Sequence, residues 1–130
     1  MYDLETARSC YGTGRYLYVA FLCQQAIEKL VKGLYVLYFG AEADRTHNIA
    51  RIFLKIISND EVKSGIEKNG IKPDIYNDLF AVLLYYYISE RYPSYKEKLS
   101  SVIDKEKAID LLRNTEEAFE WLQSLIQFKK

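Results

Sequence analysis

A long run, residues 15–39, limits the possible folds of this chain, because its apolar side chains repeat at helical spacing. The main stripe advances by alternating steps of four and three and consists of Tyr16, Ala20, Cys23, Ile27, Leu30, Leu34 and Leu37. That spacing places all of them on one side of an α-helix. Further apolar residues widen the stripe over most of the helix surface, so we expect this helix at the centre of a bundle. Gly40 should end it, because glycine tolerates a left-handed backbone.

Shorter helical patterns flank the central run. The predicted helical segments are 2–11, 15–39, 46–57, 73–92 and 104–128. They are separated by a glycine turn at 12–14 and by polar loops, of which 59–72 is the longest and has room for one short helical turn. Thr46 and Asp104 suit N-caps, and Pro73 with Asp74 suits a first helical turn. Because no segment alternates apolar and polar residues, the sequence predicts an all-α, up-and-down helical bundle of about five helices, with a four-helix core, in a single domain covering 1–130.

The composition narrows the function classes. Lysine plus arginine and aspartate plus glutamate each number 18. A protein that binds nucleic acid through its overall field is normally basic, so any such binding must come from a local patch. Cys10 and Cys23 fit neither a disulfide framework nor a metal-ligand spacing, and we expect no cofactor and no metal. Charged residues interrupt the apolar runs, and residues 1–8 lack a signal-peptide core, so we expect a cytoplasmic protein without a membrane span.

Three short stretches resemble the motifs of one protein family. Residues 24–33 read QQAIEKLVKG, close to a QQAxEKxxKA pattern, and residues 46–49 read THNI, similar to a THDL turn. Residues 90–93 read ERYP, similar to an RYP element at the end of the fourth helix. Ahead of them, LETA at 4–7 and GRY at 14–16 match the opening helix and turn. In their order, spacing and helical placement, these stretches resemble the HEPN family.

The resemblance implies a helical bundle that often dimerises and is frequently encoded beside a minimal nucleotidyltransferase. Some branches are metal-independent ribonucleases, which carry an arginine followed after four to six residues by a histidine. Here Arg91 is followed at the matching positions by Lys96, Glu97 and Lys98, so the motif histidine is missing. An arginine stabilises charge but stays protonated and is a poor base, whereas histidine moves protons near neutral pH. We therefore expect little or no catalysis.

The central helix carries a candidate ligand site. Gln25, Lys29 and Lys32 fall at i, i+4 and i+7, where they would line a cleft facing Arg91 and hold a phosphate. The structural alternative is that Glu28 pairs with Lys32 four residues on, while both glutamines of the run lie at the solvent edge. Either way, polar groups on a largely buried helix must face water, a partner or other polar groups.

The remaining candidates lie outside the central helix. His47, next to Thr46, either bonds locally at a helix N-terminus or serves a ligand-binding or catalytic role. Arg91 either complements the dipole of a helix C-terminus or recognises phosphate, with Tyr92 available for base stacking. Residues 85–87 are three tyrosines that span some 200° of a helix, so at least one ring must be exposed, as at a protein interface.

The leading hypothesis is a non-catalytic HEPN protein of a toxin–antitoxin-like system, and a homodimer. It would associate with a nucleotidyltransferase partner, or with a nucleotide or RNA, through Gln25, Lys29, Lys32 and Arg91. One alternative is a ribonuclease toxin that uses Arg91 with a substitute for the missing histidine. The other is a structural scaffold whose polar strip only solvates the bundle.

Overall fold

The computed structural model describes residues 2–90 and 103–130, and within these ranges it contains helices and no strand. The elements are α1 (Tyr2–Gly12), α2 (Tyr16–Phe39), α3 (Ile49–Ile57), α4 (Asp60–Lys68), α5 (Asn77–Glu90) and α6 (Lys105–Ser124), followed by a 3-10 helix, η1 (Leu125–Phe128). The predicted all-α bundle is confirmed. The predicted end of the fourth helix, including Arg91 and Tyr92, lies outside the described residues.

Helix α2 is the centre of the bundle. It packs against α1, α3, α5 and α6. Its buried residues are Val19, Ala20, Cys23, Gln24, Ala26, Ile27, Val31, Leu34 and Tyr38. Gly40 ends the helix in the left-handed conformation, with φ of 66°, and its N–H donates to the Val36 carbonyl oxygen, as the sequence predicts. Although α2 is long, neither it nor another helix in the described ranges is apolar enough over a sufficient length to cross a bilayer.

Helices α1 and α2 form an antiparallel hairpin. The predicted turn follows Gly12, and Gly14 adopts a φ of 77°, which glycine tolerates without a side-chain clash. Beside the turn the rings of Tyr11 and Tyr16 lie 5.8 Å apart. Further along the hairpin Lys29 reaches back to α1. This pairing covers one side of α2 and leaves another side for α3 and α5.

Helix α4, with 9 residues, corrects the prediction that residues 59–72 form a polar loop with room for only one short helical turn. Asn59 caps it, since its side-chain oxygen accepts hydrogen bonds from the backbone N–H groups of Glu61 and Val62. Val62 and Ile66, four residues apart, are both buried. Two apolar residues give a weak periodic signal in the sequence, but they suffice to anchor a short, well-capped helix against its neighbours α3 and η1.

Two predicted helix starts were wrong by a few residues. The N-cap of α3 is Asn48, whose side chain accepts from the Arg51 N–H at 3.3 Å, whereas Thr46 accepts from the Asn48 N–H and shapes the turn before it. Helix α5 begins at Asn77, because residues 73–76 form a separate turn. The predicted cap of α6 is confirmed: the carboxylate of Asp104 accepts a hydrogen bond from the backbone N–H of Lys107 at 2.9 Å.

Helices α3 and α5 lie antiparallel. The rings of Phe53 and Phe80 meet edge to face with centroids 5.4 Å apart in the core. At the other end of the same seam, His47 stacks on Tyr87. The seam therefore brings the residues just before α3 to the last turns of α5.

Candidate functional site

Glu28, on α2, is the centre of a polar network. Its Oε1 accepts a hydrogen bond from Gln24 Nε2 at 2.7 Å and lies 2.9 Å from His47 Nδ1. Its Oε2 accepts from Lys32 Nζ at 3.3 Å. Gln24, Glu28 and Lys32 stand at i, i+4 and i+8, so successive turns of the helix present them on one side. One carboxylate thus binds an amide, an ammonium and an imidazole.

A second contact extends the network to α5. The rings of His47 and Tyr87 are stacked, with centroids 4.1 Å apart and planes 25° apart. We call Gln24, Glu28, Lys32, His47 and Tyr87 the Glu28 cluster. It joins α2, the linker before α3 and the last turns of α5. The stretches 24–33 and 46–49 meet there, and the third stretch, 90–93, begins three residues after Tyr87.

Exposure rises across the cluster from the core to the surface. Gln24 is only 4% exposed, whereas the side chains of Glu28, Lys32 and His47 are 15%, 32% and 44% exposed. A largely buried carboxylate is costly without partners, and its three donors meet that need. The network therefore holds the inner groups fixed while Lys32 and His47 still reach solvent.

The hydrogen bond to Glu28 also orients the imidazole. The Glu28 carboxylate accepts hydrogen bonds from Gln24 and Lys32, so we assign it the acceptor role toward His47 as well and place the N–H of the ring on Nδ1. Nε2 then faces away from that carboxylate and is available to a ligand. Lys32 has three N–H donors, of which Glu28 uses one. The exposed side of the cluster can therefore bind an anionic or aromatic group through a lysine and an oriented imidazole.

The structure divides the polar strip predicted from the sequence. Lys32 belongs to the Glu28 cluster, and its predicted pairing with Glu28 is confirmed. Lys29 instead binds Asp3 of α1, with Nζ 2.9 Å from Oδ2. Gln25 is exposed. The two lysines, three residues apart on α2, therefore have different partners: Lys29 binds α1, whereas Lys32 pairs within α2.

Two local expectations require correction. Gln24 is buried rather than at the solvent edge, because its amide donates to Glu28 beneath the surface. His47 does not bond locally at a helix N-terminus, since its partner Glu28 lies 19 residues earlier on another helix. In the tyrosine run Tyr85 is 59% exposed, as expected. Arg91 lies outside the part of the chain that the structure describes.

The sequence prediction of the site missed three members of the Glu28 cluster: Gln24, Glu28 and Tyr87. The i, i+4, i+8 spacing of Gln24, Glu28 and Lys32 was a usable signal, because three polar residues on one side of an apolar helix need a common partner. Nothing comparable marks Tyr87, whose role depends on the packing of α3 against α5.

A second feature is an exposed apolar side of α5 and of the turn before it. Ile75, Val82, Tyr85 and Ile88 are each between 42% and 59% exposed. Ile75 and Val82 line a groove of about 460 Å³ between α5 and α6, and Leu79 lines it as well. Such a concentration of apolar surface is typical of a protein interface.

Comparison with known proteins identifies one family. The family model described as HEPN domain matches residues 1–125 of this chain. No curated protein and no solved structure matches it.

Proposed function

Since the match extends over almost the whole chain, the protein belongs to the HEPN family, and we propose that it is a non-catalytic member that binds a nucleotide or RNA at the Glu28 cluster. The convergence of separate segments on one carboxylate carries this proposal. Glu28 fixes Lys32 from its own helix and His47 from the linker, and both remain partly exposed. Fixed, outward-facing donors are what a phosphate-bearing ligand requires.

The role of Arg91 stays a prediction from the sequence. It follows Tyr87 by four residues in the sequence. An arginine is a planar donor suited to phosphate. Tyr92 and Gln25 likewise stay predicted contacts.

A lack of catalysis is proposed on chemical grounds. Cleavage of RNA through its 2′-hydroxyl requires both a base and an acid near neutral pH. The chain has a single histidine, His47, and none follows Arg91 at the family spacing. We expect purified protein to leave RNA intact. Robust cleavage that Arg91→Ala abolishes and that survives His47→Ala would overturn this part of the proposal and favour the ribonuclease alternative, whereas cleavage lost with His47→Ala would overturn it and move the site to the residues before α3.

The binding site is tested by two matched lysine variants. Short single-stranded RNA is titrated at two salt concentrations against wild type, Lys32→Ala and Lys29→Ala. Each phosphate contact adds roughly −0.7 to the slope of log affinity against log salt on single strands. Lys32→Ala should lose one such contact and about 1 kcal/mol or more of binding free energy. Lys29→Ala should bind as wild type does, because the Lys29 ammonium pairs with Asp3 instead. Equal loss in both variants, or no binding at low salt, would contradict the site.

A second candidate function is protein association through α5, favoured by the exposed apolar side chains there. We propose that the protein is a cytoplasmic homodimer, and that it docks a nucleotidyltransferase partner in a toxin–antitoxin-like pair. Light scattering at micromolar concentration should give a dimer for wild type and a monomer for Val82→Asp. Leu54→Asp serves as the control, since Leu54 is 63% exposed on α3. A wild type that stays monomeric would rule out self-association.

A further inference from the structure

The imidazole of His47 has one covered and one open ring face. Tyr87 covers the first, at a centroid distance of 4.1 Å and an interplanar angle of 25°. Glu28 holds the plane of the ring through Nδ1. Because 44% of the side chain is exposed although Tyr87 covers one face, we infer that the opposite face is the accessible one. The result is a flat, immobilised aromatic surface at the edge of the cluster.

The charges of the cluster favour a flat ligand over a purely anionic one. Glu28 offsets the charge of Lys32, so attraction between this pair and a phosphate is weaker than for a lone lysine. A stacked base gains contact with the ring regardless of charge, and the ring loses little conformational freedom on binding because two contacts already fix it. Base stacking therefore adds binding where the phosphate contact alone is weak.

We propose that the open face of His47 stacks an unpaired nucleobase while Lys32 contacts the phosphate of the same or the neighbouring nucleotide. This inference rests on the proposed function, since it names the ligand of that site. Both residues bind the same carboxylate, so they stand close enough to contact one nucleotide. The ligand class is a nucleotide with a free base, either a mononucleotide or an unpaired residue in single-stranded RNA. A duplex does not qualify, because its bases are stacked on one another.

The first test compares ligands on wild-type protein. Calorimetric titrations at low salt use AMP, ribose 5-phosphate, single-stranded oligoadenylate and the same oligonucleotide in a duplex. Stacking one base on an aromatic ring should make AMP bind about ten- to a hundredfold more tightly than ribose 5-phosphate. If RNA is the source of the base, oligoadenylate binds more tightly than AMP; if a free nucleotide is, AMP binds at least as tightly. Duplex binding equal to that of the single strand would overturn the proposal.

The second test compares variants of the ring itself. His47→Ala should remove the preference for AMP over ribose 5-phosphate, whereas His47→Phe, which keeps an aromatic face, should retain it. Thermal melts confirm that each variant is folded. Equal binding of AMP and ribose 5-phosphate by wild type would overturn stacking but leave the phosphate site of the proposed function standing. Binding of neither would overturn both, and loss of the preference in a folded His47→Phe would also overturn stacking.

Discussion

Two glutamates, Glu28 and Glu61, each hold groups from distant parts of the chain, but they do so in different surroundings. Glu28 lies on the central helix with its side chain 15% exposed and binds three side chains. Glu61 lies in the first turn of α4 with its side chain 29% exposed. Its carboxylate accepts from the backbone N–H of Lys130 at 2.6 Å and from the Lys129 ammonium at 3.5 Å.

The two sites differ in whether water can solvate the partner groups once the carboxylate is removed. Around Glu61 water can solvate the released groups, and the C-terminal residues remain attached by packing of Phe128 on Gly65 and by the hydrogen bond from the Tyr38 hydroxyl to the Leu125 carbonyl. Around Glu28 the buried amide of Gln24 has no such access to water. Burial and the number of partners, more than charge, should therefore decide how much each glutamate stabilises the fold.

The largest expected effect is that of Glu28→Ala. It leaves the buried Gln24 amide and the Lys32 ammonium without their acceptor, which should lower the free energy of unfolding by about 2–3 kcal/mol. Glu28→Gln, which keeps one oxygen acceptor, should cost less. Urea denaturation measures both, with Glu61→Ala as the matched control and a smaller expected loss. Equal losses of stability at the two glutamates would contradict the inference that burial and the number of partners decide how much each one stabilises the fold.

Packing at the C-terminal attachment is tested at Gly65. A Cβ there would overlap the ring of Phe128, so Gly65→Ala should destabilise the protein by about 1–3 kcal/mol, as overpacking does. Gly33→Ala is the control, because a Cβ at Gly33 meets nothing within 4 Å and alanine should stabilise α2 by about 0.5–1 kcal/mol. If the clash is the cause, Phe128→Ala should cancel most of the effect of Gly65→Ala. Additive losses in the double variant would refute it.

The sequence was informative where its periodicity was long. Helix α2, its stop at Gly40 and the Asp104 cap of α6 follow from local chemistry, and the structure confirms them. Helix α4 was missed because its core contact rests on Val62 and Ile66, too few residues to establish a period. Starts next to proline or threonine were misplaced because several nearby residues can cap or begin a helix.

The candidate site was less predictable than the fold. The sequence placed Lys32 beside Glu28 correctly because an i, i+4 pair is local. The sequence also grouped Lys29 with Lys32. It gave no sign of the Lys29 partner, Asp3 of α1, because Asp3 lies 26 residues away in the sequence and approaches Lys29 only in the folded protein. The pairing of His47 with Glu28 likewise depends on the path of the linker between α2 and α3. Local spacing shows which residues share a side of a helix, whereas the fold decides what they meet.

The labelling rate of the buried Cys23 thiol reports whether the loss of either glutamate makes the core more accessible. Burial raises the pKa of this thiol to about 12, so we expect it to stay protonated and unreactive near neutral pH, and we expect the less buried Cys10 to alkylate faster. A raised pKa also means that stability is lost as pH rises above about 9. Glu28→Ala, five residues further along α2, should speed the iodoacetamide labelling of Cys23 at pH 8, which mass spectrometry measures. Glu61→Ala should leave the rate unchanged, and the reverse order would show that the α4 side supports the core.

The smallest expected effect compares a hydrogen bond from a neutral donor, at Glu61, with a hydrogen bond from a charged donor, at Asp44. The Lys130 backbone N–H lowers the pKa of Glu61, and the Lys55 side chain lowers that of Asp44. The unfolded chain therefore binds protons first as pH falls, so both contributions are present at neutral pH and are lost below about pH 4.5 and pH 3.8, the ordinary values.

Salt should distinguish these two carboxylates. The Debye length shrinks from about 10 Å at 0.1 M to about 3 Å at 1 M salt, so the exposed ion pair of Asp44 with Lys55 weakens. The main partner of Glu61 is an uncharged amide, whose hydrogen bond depends less on ionic strength. Urea denaturation at pH 7 and pH 3, at both salt concentrations, should show that high salt removes most of the acid-dependent difference between wild type and Asp44→Asn. The corresponding difference for Glu61→Ala should largely persist. If high salt removes the acid-dependent differences of Asp44→Asn and Glu61→Ala equally, Glu61 acts by charge alone. Glu28 and Glu61 would then differ only in burial.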